Sequence, residues 1–247
     1  MLFSFGKWAA AAAVFLGGGY QLLAVPSYSV TYLGGLQTTG LGSALNDSGQ
    51  VVGYAYNGSS YEAFLYSGGT MTGLGNLNPG GGTYNSSYAY GINNSGQVVG
   101  IAYNGSSDEA FLYSGGTMTG LGNLDPGGSN YSYSFAFGID NSGQVVGSSA
   151  VPSGGEAFLY DAGIMYQIDT LLDAASAGWV IYNASAINSL GQIVAYGYNP
   201  ADGRSGSVLL TPSLSAVPEP GYYAALGIFL AGLVVHSRRR SRATSAN

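Results

Sequence analysis

The 247-residue sequence contains no cysteine and only one histidine, His236, which lies close to the carboxyl end. Without cysteine the protein forms no disulfide, and thiolate catalysis and cysteine-ligated metal sites are excluded. A Ser-His-Asp triad or a histidine-ligated metal would find no histidine in the central region. We therefore predict that the protein is not an enzyme and has no metal or cofactor.

Charged residues are also scarce, at 7% of the chain, and they are unevenly placed. Lys7 lies near the amino end, and four of the basic residues form a cluster at the carboxyl end: Arg238, Arg239, Arg240 and Arg242. Arg204 is the one basic residue between the two ends, where nearly all of the acids lie. So acidic a body repels phosphate backbones, which excludes nucleic acid as a partner.

Glycine and tyrosine are abundant instead, with 42 and 21 residues. Disordered segments usually combine high charge with few aromatic residues, and this composition is the opposite. The central region, residues 25–214, is long enough to form one domain with a core. We predict a β-rich, turn-rich extracellular domain.

The amino-terminal end has the layout of a secretory signal peptide. Lys7 precedes the apolar run 8–16 (WAAAAAVFL), and small residues follow up to Ala24. A basic start, a short apolar stretch and a small-residue exit are typical of such signals. We predict a signal helix in residues 1–24; the alternative is an uncleaved membrane anchor.

The carboxyl end carries three ordered parts. Val217, Pro218, Glu219 and Pro220 precede an apolar segment, residues 221–235, and the arginine cluster follows. As a helix, that segment would span roughly 22 Å, somewhat less than the 30 Å hydrocarbon core, and flanking tyrosines and arginines could cover the difference. We predict a transmembrane helix over residues 221–235, with the arginines cytoplasmic.

These three parts together resemble the PEP-CTERM sorting signal, over residues 217–242. The resemblance implies processing by a membrane-embedded exosortase near Pro218, Glu219 and Pro220, with Arg238, Arg239, Arg240 and Arg242 as the membrane-stop cluster. It also implies an exopolysaccharide-producing bacterium, inner-membrane anchoring before processing, and a final location at the cell surface or outside the cell. The alternative is an ordinary single-pass anchor.

Between the ends lies an internal repeat. The run Ser-Gly-Gln-Val-Val-Gly begins at Ser48, Ser95 and Ser142, and a weaker copy begins at Leu190. The run Glu-Ala-Phe-Leu-Tyr likewise begins at Glu62, Glu109 and Glu156. The copies recur every 47 or 48 residues, and a fixed period of this size is typical of blades and solenoid units.

Each repeat unit predicts four short strands joined by tight turns rich in Gly and Asn. In the second unit the predicted strands cover residues 89–93, 97–103, 109–113 and 117–124, and in the last unit 180–188, 192–198 and 207–211. Because apolar residues occupy both strand faces, each sheet should be sandwiched between neighbours. We predict an all-β, propeller-like domain of four blades with four strands each.

The phase of the repeat suggests how such a domain could close. Residues 29–36 (SVTYLGGL) match the fourth strand of a unit, as in residues 70–77 (TMTGLGNL), and the last unit lacks a fourth strand. The first strand could therefore complete the last blade and close a ring. An open β-solenoid or a sandwich would use the same strands.

The repeat also resembles the extracellular HAF repeat family, through Gly-Gln-Val-Val-Gly, Ala-Phe-Leu-Tyr and the Gly-x-Met-x-x-Leu-Gly that follows. The histidine of the family name is replaced here by Glu62, Glu109 and Glu156. The resemblance implies no catalytic residues.

Three sets of polar residues are candidates for chemistry. The Asn-Asp-Ser-Gly-like turns could be calcium loops but lack the ligand spacing, so we interpret them as hairpin turns. The repeated glutamates hold either a structural position or a repeated binding contact. Asp108 and Glu109 face opposite sides of a strand, and a capped turn explains Asp169 and Asp173 more simply than a glycosidase pair does.

Tyrosines in the loops between units, Tyr84, Tyr131 and Tyr133, are candidate sugar contacts, since exposed rings can stack on sugars; local packing is the alternative. The sequence thus favours a non-enzymatic surface or matrix protein, exported, sorted by an exosortase and associated with exopolysaccharide. A carbohydrate-binding module that uses the tyrosine-rich loops is the second hypothesis.

Overall fold

The computed structural model describes the backbone of residues 12–16 and 19–23, and then residues 28–34, 36–37, 40–78, 80, 85–125, 132–152 and 154–213. These residues form a small hairpin and four antiparallel sheets, in which the strands follow one another in chain order. The described body is therefore all-β, as predicted, and the 3-10 helix Ile168–Leu171 is its one helical turn.

The hairpin pairs β1 (Ala12–Leu16) with β2 (Gly19–Leu23). The first sheet contains β3 (Gly40–Leu45), β4 (Val51–Tyr56), β5 (Tyr61–Ser67) and β6 (Thr70–Gly73), and the second β7 (Ser87–Ile92), β8 (Val98–Tyr103), β9 (Asp108–Ser114) and β10 (Thr117–Gly120). The third contains β11 (Ser134–Ile139), β12 (Val145–Val151), β13 (Gly154–Asp161) and β14 (Ile164–Gln167), and the fourth β15 (Val180–Ile187), β16 (Ile193–Asn199) and β17 (Arg204–Leu210).

These bounds confirm the predicted strands of the second unit, with one shortened. The strand expected to continue to residue 124 ends at Gly120. The next residues leave the sheet because Gly122 takes a positive φ of 77° and its N–H donates to Glu109 Oε1 at 2.8 Å. A side chain thus replaces the strand partner and stops the ladder.

The sheets stack face to face, which explains why both faces of each strand are apolar. We call the forward face the one that carries Val52, Val99, Val146 and Val194 in the four sheets, and the backward face its opposite. Forward-face residues of one sheet pack on backward-face residues of the next, as Val52 and Ala63 pack with Val98 and Phe111. The same packing joins the second sheet to the third and the third to the fourth. Each wholly buried phenylalanine contributes about 2 to 3 kcal/mol through apolar burial.

A glycine at one repeated position lets the first two strands of a unit come together. A Cβ at Gly53, Gly100 or Gly147 would lie only 1.9 Å from a carbonyl oxygen of the first strand. That strand shifts register beside the glycine, between Ala89 and Gly91 in the second sheet, which marks a β-bulge. The terminal glycine of Gly-Gln-Val-Val-Gly is therefore a packing requirement.

Two expectations about the amino-terminal part are wrong. The segment 29–36 forms no strand within its described residues, so the fourth sheet has three strands, β15, β16 and β17, and this segment does not close a ring. Residues 12–16 and 19–23 pair as a hairpin where a signal helix was predicted. Across the described part of the chain, no helix has the length and hydropathy needed to cross a membrane. The predicted helix over residues 221–235 lies outside that part.

Candidate functional site

The turn between the first and second strands of each unit is built on one Asn or Asp side chain. Asn93 Oδ1 accepts the N–H groups of Ser95 (3.1 Å) and Gln97 (3.0 Å). Its Nδ2 donates to Gln97 Oε1 (2.7 Å) and to the carbonyl of Asp140 in the next sheet (3.0 Å). Asn46 makes the same four bonds one unit earlier. These side chains therefore form the turns and join successive sheets, which confirms the hairpin interpretation.

We call this series of side-chain bonds between sheets the asparagine ladder; it stops at the third unit. Asp140 accepts from Ser142 and Gln144, as its equivalents do, but a carboxylate has no N–H to donate to Asn188. Asn188, the equivalent residue of the fourth unit, is exposed and bonds only within its own turn in the described chain. The third and fourth sheets are thus joined without this hydrogen bond.

Two of the three repeated glutamates are part of the scaffold. Glu62 accepts from Asn57 Nδ2 at 2.7 Å and from the Gly75 N–H at 3.0 Å. Glu109 accepts equivalently from Asn104 (2.6 Å) and Gly122 (2.8 Å). Each carboxylate joins the turn before the third strand of its sheet to the segment after the fourth strand. The structural interpretation is therefore confirmed for both.

Asp169 and Asp173 each accept a backbone N–H after β14. Asp169 Oδ1 accepts the Ile181 N–H at 2.9 Å, and burial raises the pKa of Asp169 despite that bond. Asp173 accepts the Ser176 N–H at 2.8 Å, and hydrogen bonding by Ser176 lowers the pKa of Asp173. The capped-turn interpretation is therefore confirmed for Asp173, which holds the turn that leads to Ser176. The Asp169 carboxylate instead joins the 3-10 helix to the start of β15. The described residues contain no cluster of three or more His, Asp or Glu side chains able to hold a metal.

Sequence reasoning missed the buried serines that link neighbouring sheets. Ser87 Oγ accepts the Ala63 N–H at 2.9 Å and donates to the Gly75 carbonyl at 2.5 Å. Ser134 makes the equivalent bonds to Ala110 and Gly122. Their recurrence at the repeat period was a usable signal, since a polar residue that begins an apolar strand needs a partner once buried.

Of the predicted sugar-contact residues, the structure describes one. Tyr133 is 40% exposed and its ring lies 5.2 Å from that of Phe135, centroid to centroid. It lines a shallow cleft of about 220 Å³ with Pro152 and Gly155. Tyr84 and Tyr131 lie outside the described residues, as do Val217, Pro218, Glu219 and Pro220 and the cluster Arg238, Arg239, Arg240 and Arg242.

A second aromatic group, which sequence reasoning did not single out, joins the first two sheets. Tyr54 contacts Tyr88 of the next sheet, with ring centroids 4.8 Å apart. Tyr61 lies within 5.9 Å of Tyr54, Tyr56 and Tyr88. Tyr56 and Tyr61 are 36% and 45% exposed. We call these four residues the tyrosine patch; its exposed rings present an aromatic surface beside the turn at Gly58, whose carbonyl accepts the Tyr56 hydroxyl.

No family model and no curated protein matches the chain. Among solved structures, it is similar to the β-propeller domain of the Trilobed protease from Pyrococcus furiosus, which is described as having an open velcro topology. The identity is 15% and the TM-score 0.36, and the match covers 66% of this chain and 43% of that one. The chain thus spans less than half the length of the structure that it matches.

Proposed function

We propose that the protein is an exported, non-enzymatic component of the cell surface or extracellular matrix, sorted by an exosortase and associated with exopolysaccharide. For the folded body, the proposal rests on one observation: its repeated polar side chains form hydrogen bonds that hold the scaffold together. Asn46, Asn93, Glu62 and Glu109 make matched bonds that tie strands and sheets together. Such a body is suited to presenting a surface at the cell exterior and not to catalysis.

We further propose that the four sheets are blades of an open, propeller-like array. The first strand of each sheet lies against the first three strands of the preceding sheet, so that β3, β7, β11 and β15 follow one another. First strands that lie beside one another in succession are the arrangement of blades about an axis.

The sorting part of the proposal rests on residues 217–242. Changing Pro218, Glu219 and Pro220 together to alanine should abolish processing in an exosortase-containing host, which intact-protein mass spectrometry of the surface and membrane fractions would detect. A matched control changes Pro212, Ser213 and Ser215 to alanine, ahead of the motif, and should be processed normally. Processing that continues in a strain without its exosortase would refute this part.

A second candidate function, carbohydrate binding, is favoured by the tyrosine patch. Replacing Tyr61 with alanine should weaken retention on the producer's exopolysaccharide about fivefold, since a stacked ring is worth about 1 kcal/mol. The control Tyr166→Ala removes a ring of similar exposure, 37%, from another sheet. Equal retention of the wild type and both variants would argue against the patch as a sugar site, and the same assay with Tyr84→Ala, Tyr131→Ala and Tyr133→Ala tests the loops.

A further inference from the structure

The fourth sheet ends on a strand with a free edge in the described chain. The other three sheets each have a fourth strand paired to the third, as β6 pairs with β5. In the fourth sheet β17 pairs with β16 alone. The outer N–H and C=O groups of β17 therefore face away from the sheet, the arrangement that accepts an added strand.

A cleft of about 350 Å³ lies beside this edge, lined by Leu159, Ile168, Leu172 and Leu210. In the second and third sheets the corresponding place is filled by a side chain of the fourth strand. Met118 packs against the core between the first and second sheets, as Leu65 and Leu77 of the first sheet do. Met165 packs in the same way against the core between the second and third sheets, as Leu112 and Leu124 do. The cleft therefore has the lining that elsewhere holds an apolar residue of a fourth strand.

A segment of matching sequence is exposed at the other end of the body. We call residues 28–34 the arm; its Tyr28, Val30 and Tyr32 are 87%, 95% and 85% exposed. Aligned on Leu-Gly-x-Leu, Val30 corresponds to Met71 and Met118, and Leu33 to the buried Leu74 and Leu121. Gly34 has a φ of 82°, against 78° at Gly75 and 77° at Gly122. The arm thus ends with the positive φ that follows a fourth strand in the first two sheets.

A residue that follows the arm contacts the first sheet in the same way as a residue that follows β6 contacts the second sheet. Gln37 lies against the turn at Gly58, where a Cβ would come within 2.6 Å of Gln37 Oε1. Asn78, just after β6, lies in the same way against Gly105 of the second sheet, 3.5 Å from the equivalent Cβ position. Gln37, three residues after the arm, therefore lies against the first sheet as a residue after a fourth strand lies against the sheet that follows.

The side chains of the arm and of β17 differ from the other units in a complementary way. In the first two sheets the glutamates Glu62 and Glu109 occupy the space over Gly73 and Gly120. The arm has Tyr32 at that glycine position, and β17 has Gly206 at the glutamate position. The large ring would thus meet a residue without a side chain. In the third sheet the residues at these two positions are Gln167 and Glu156.

We propose that the arm of a second copy of this chain adds to β17 as its fourth antiparallel strand, so that copies associate head to tail. The register of β6 on β5 places Val30 opposite Leu210, Thr31 opposite Leu209 and Tyr32 opposite Val208. Val30 then enters the cleft, and Leu33 takes the position of Leu74. The first sheet of the second copy follows its arm and covers the forward face of the fourth sheet.

The occupant is a second copy because the arm is tied to the first sheet by few residues. Residues 35–39 extend at most about 18 Å, so the arm reaches β17 only where the first and fourth sheets are neighbours. The extensive contacts between sheets of the described chain join first to second, second to third and third to fourth. A head-to-tail contact of this kind is heterologous and makes open chains or closed rings of copies.

Cysteine cross-linking tests the contact directly, because the chain has no cysteine of its own. Full-length Thr31→Cys and full-length Leu209→Cys, carrying different tags, are mixed and oxidised. Opposed residues in such a pair lie about 5.5 Å apart between Cα atoms, within disulfide range. We expect mixed-tag dimers at least about tenfold above the control mixture of Thr31→Cys with Ser205→Cys, whose cysteines would lie about 13 Å further apart along the strand.

Two outcomes would overturn the proposal. One is a yield of mixed-tag dimers no higher than that of the Ser205→Cys control, which would mean that the chain's own carboxyl-terminal segment or nothing occupies the edge. The other is a double variant, Thr31→Cys with Leu209→Cys, that cross-links within one chain while the mixed single variants do not. That result would place the arm on its own fourth sheet.

A proline variant separates association from stability. Thr31→Pro removes an N–H that the added strand needs, and the arm is exposed, so the isolated chain should keep its unfolding temperature. Sedimentation of the wild type should show species that grow with concentration, and Thr31→Pro should lose them although it carries the same termini. Association that persists in Thr31→Pro counts against the arm, as does an unfolding temperature that falls.

Discussion

Val99 and Val194 occupy the same position in the second and fourth repeats, yet one is wholly buried and the other 44% exposed. Val99 lies under the third sheet, as Val52 and Val146 lie under the second and fourth. Nothing in the described chain covers Val194. Leu45 shows the same contrast at the other end, at 71% exposure against 9% for its equivalent Ile139. A repeat unit thus specifies its own sheet, but the burial of its faces depends on its neighbours.

The largest effect expected from this comparison concerns the glycine that follows each Val-Val pair. Gly100→Ala places a Cβ 1.9 Å from the Tyr88 carbonyl oxygen, and backbone must move to make room. We expect a loss of at least about 3 kcal/mol in the free energy of unfolding, measured by urea denaturation with circular dichroism.

The fourth sheet supplies the matched control, because Ala195 replaces glycine there without disrupting the sheet. That sheet has two register shifts between β15 and β16 where the others have one between their first two strands, and the added shift accompanies the alanine. Ala195→Gly should therefore cost less than about 1 kcal/mol. Similar losses for the two variants would show that the close approach is not what fixes the glycine.

A smaller effect is expected for the valines themselves. Val99→Ala removes two buried methyl groups beneath the third sheet and should cost about 2 kcal/mol. Val194→Ala should cost about 0.5 kcal/mol in the isolated chain, because water already reaches the side chain. The same unfolding assay compares them. If a second copy covers the forward face at high protein concentration, the cost of Val194→Ala should grow with concentration.

Neighbouring sheets are joined either with or without the bond from an asparagine amide to a carbonyl of the next sheet. A single substitution should convert one kind of junction into the other. Asn93→Asp removes the amide that donates to the Asp140 carbonyl and places a carboxylate beside it, so we expect a loss of about 1.5 kcal/mol. Asp140→Asn restores a donor toward Asn188 and should gain about 1 kcal/mol. Hydrogen exchange of the Asn188 turn should slow in Asp140→Asn. Unchanged exchange there would mean that the third and fourth sheets do not come close enough for this bond.

Much of the body could be predicted from the sequence, because the repeat displays each strand several times and Asn-Gly or Ser-Gly turns mark the ends. The use of both strand faces also followed from the sequence, because adjacent apolar residues such as Val51 and Val52 point to opposite faces of a strand. The bulges beside Gly53 and its equivalents could not be foreseen, since they depend on contact with a partner strand. Nor could the position of residues 29–36, because a strand-like pattern does not specify which edge the strand meets.

The smallest effect expected concerns Asp169, which occurs in the third unit and has no counterpart in the first two. Burial raises the pKa of Asp169, so its charged form is disfavoured in the folded state. The folded protein should therefore lose stability as pH rises from the unfolded value of about 4 through the raised pKa. Asp169→Asn keeps an oxygen for the Ile181 N–H and has no charge to bury, so it should be the more stable protein at neutral pH, by less than about 1 kcal/mol. The difference should vanish near pH 3, and Asp169→Ala, which loses the acceptor, should be less stable than either at both pH values. An advantage of Asp169→Asn that does not change with pH would show that the carboxylate is not the cause.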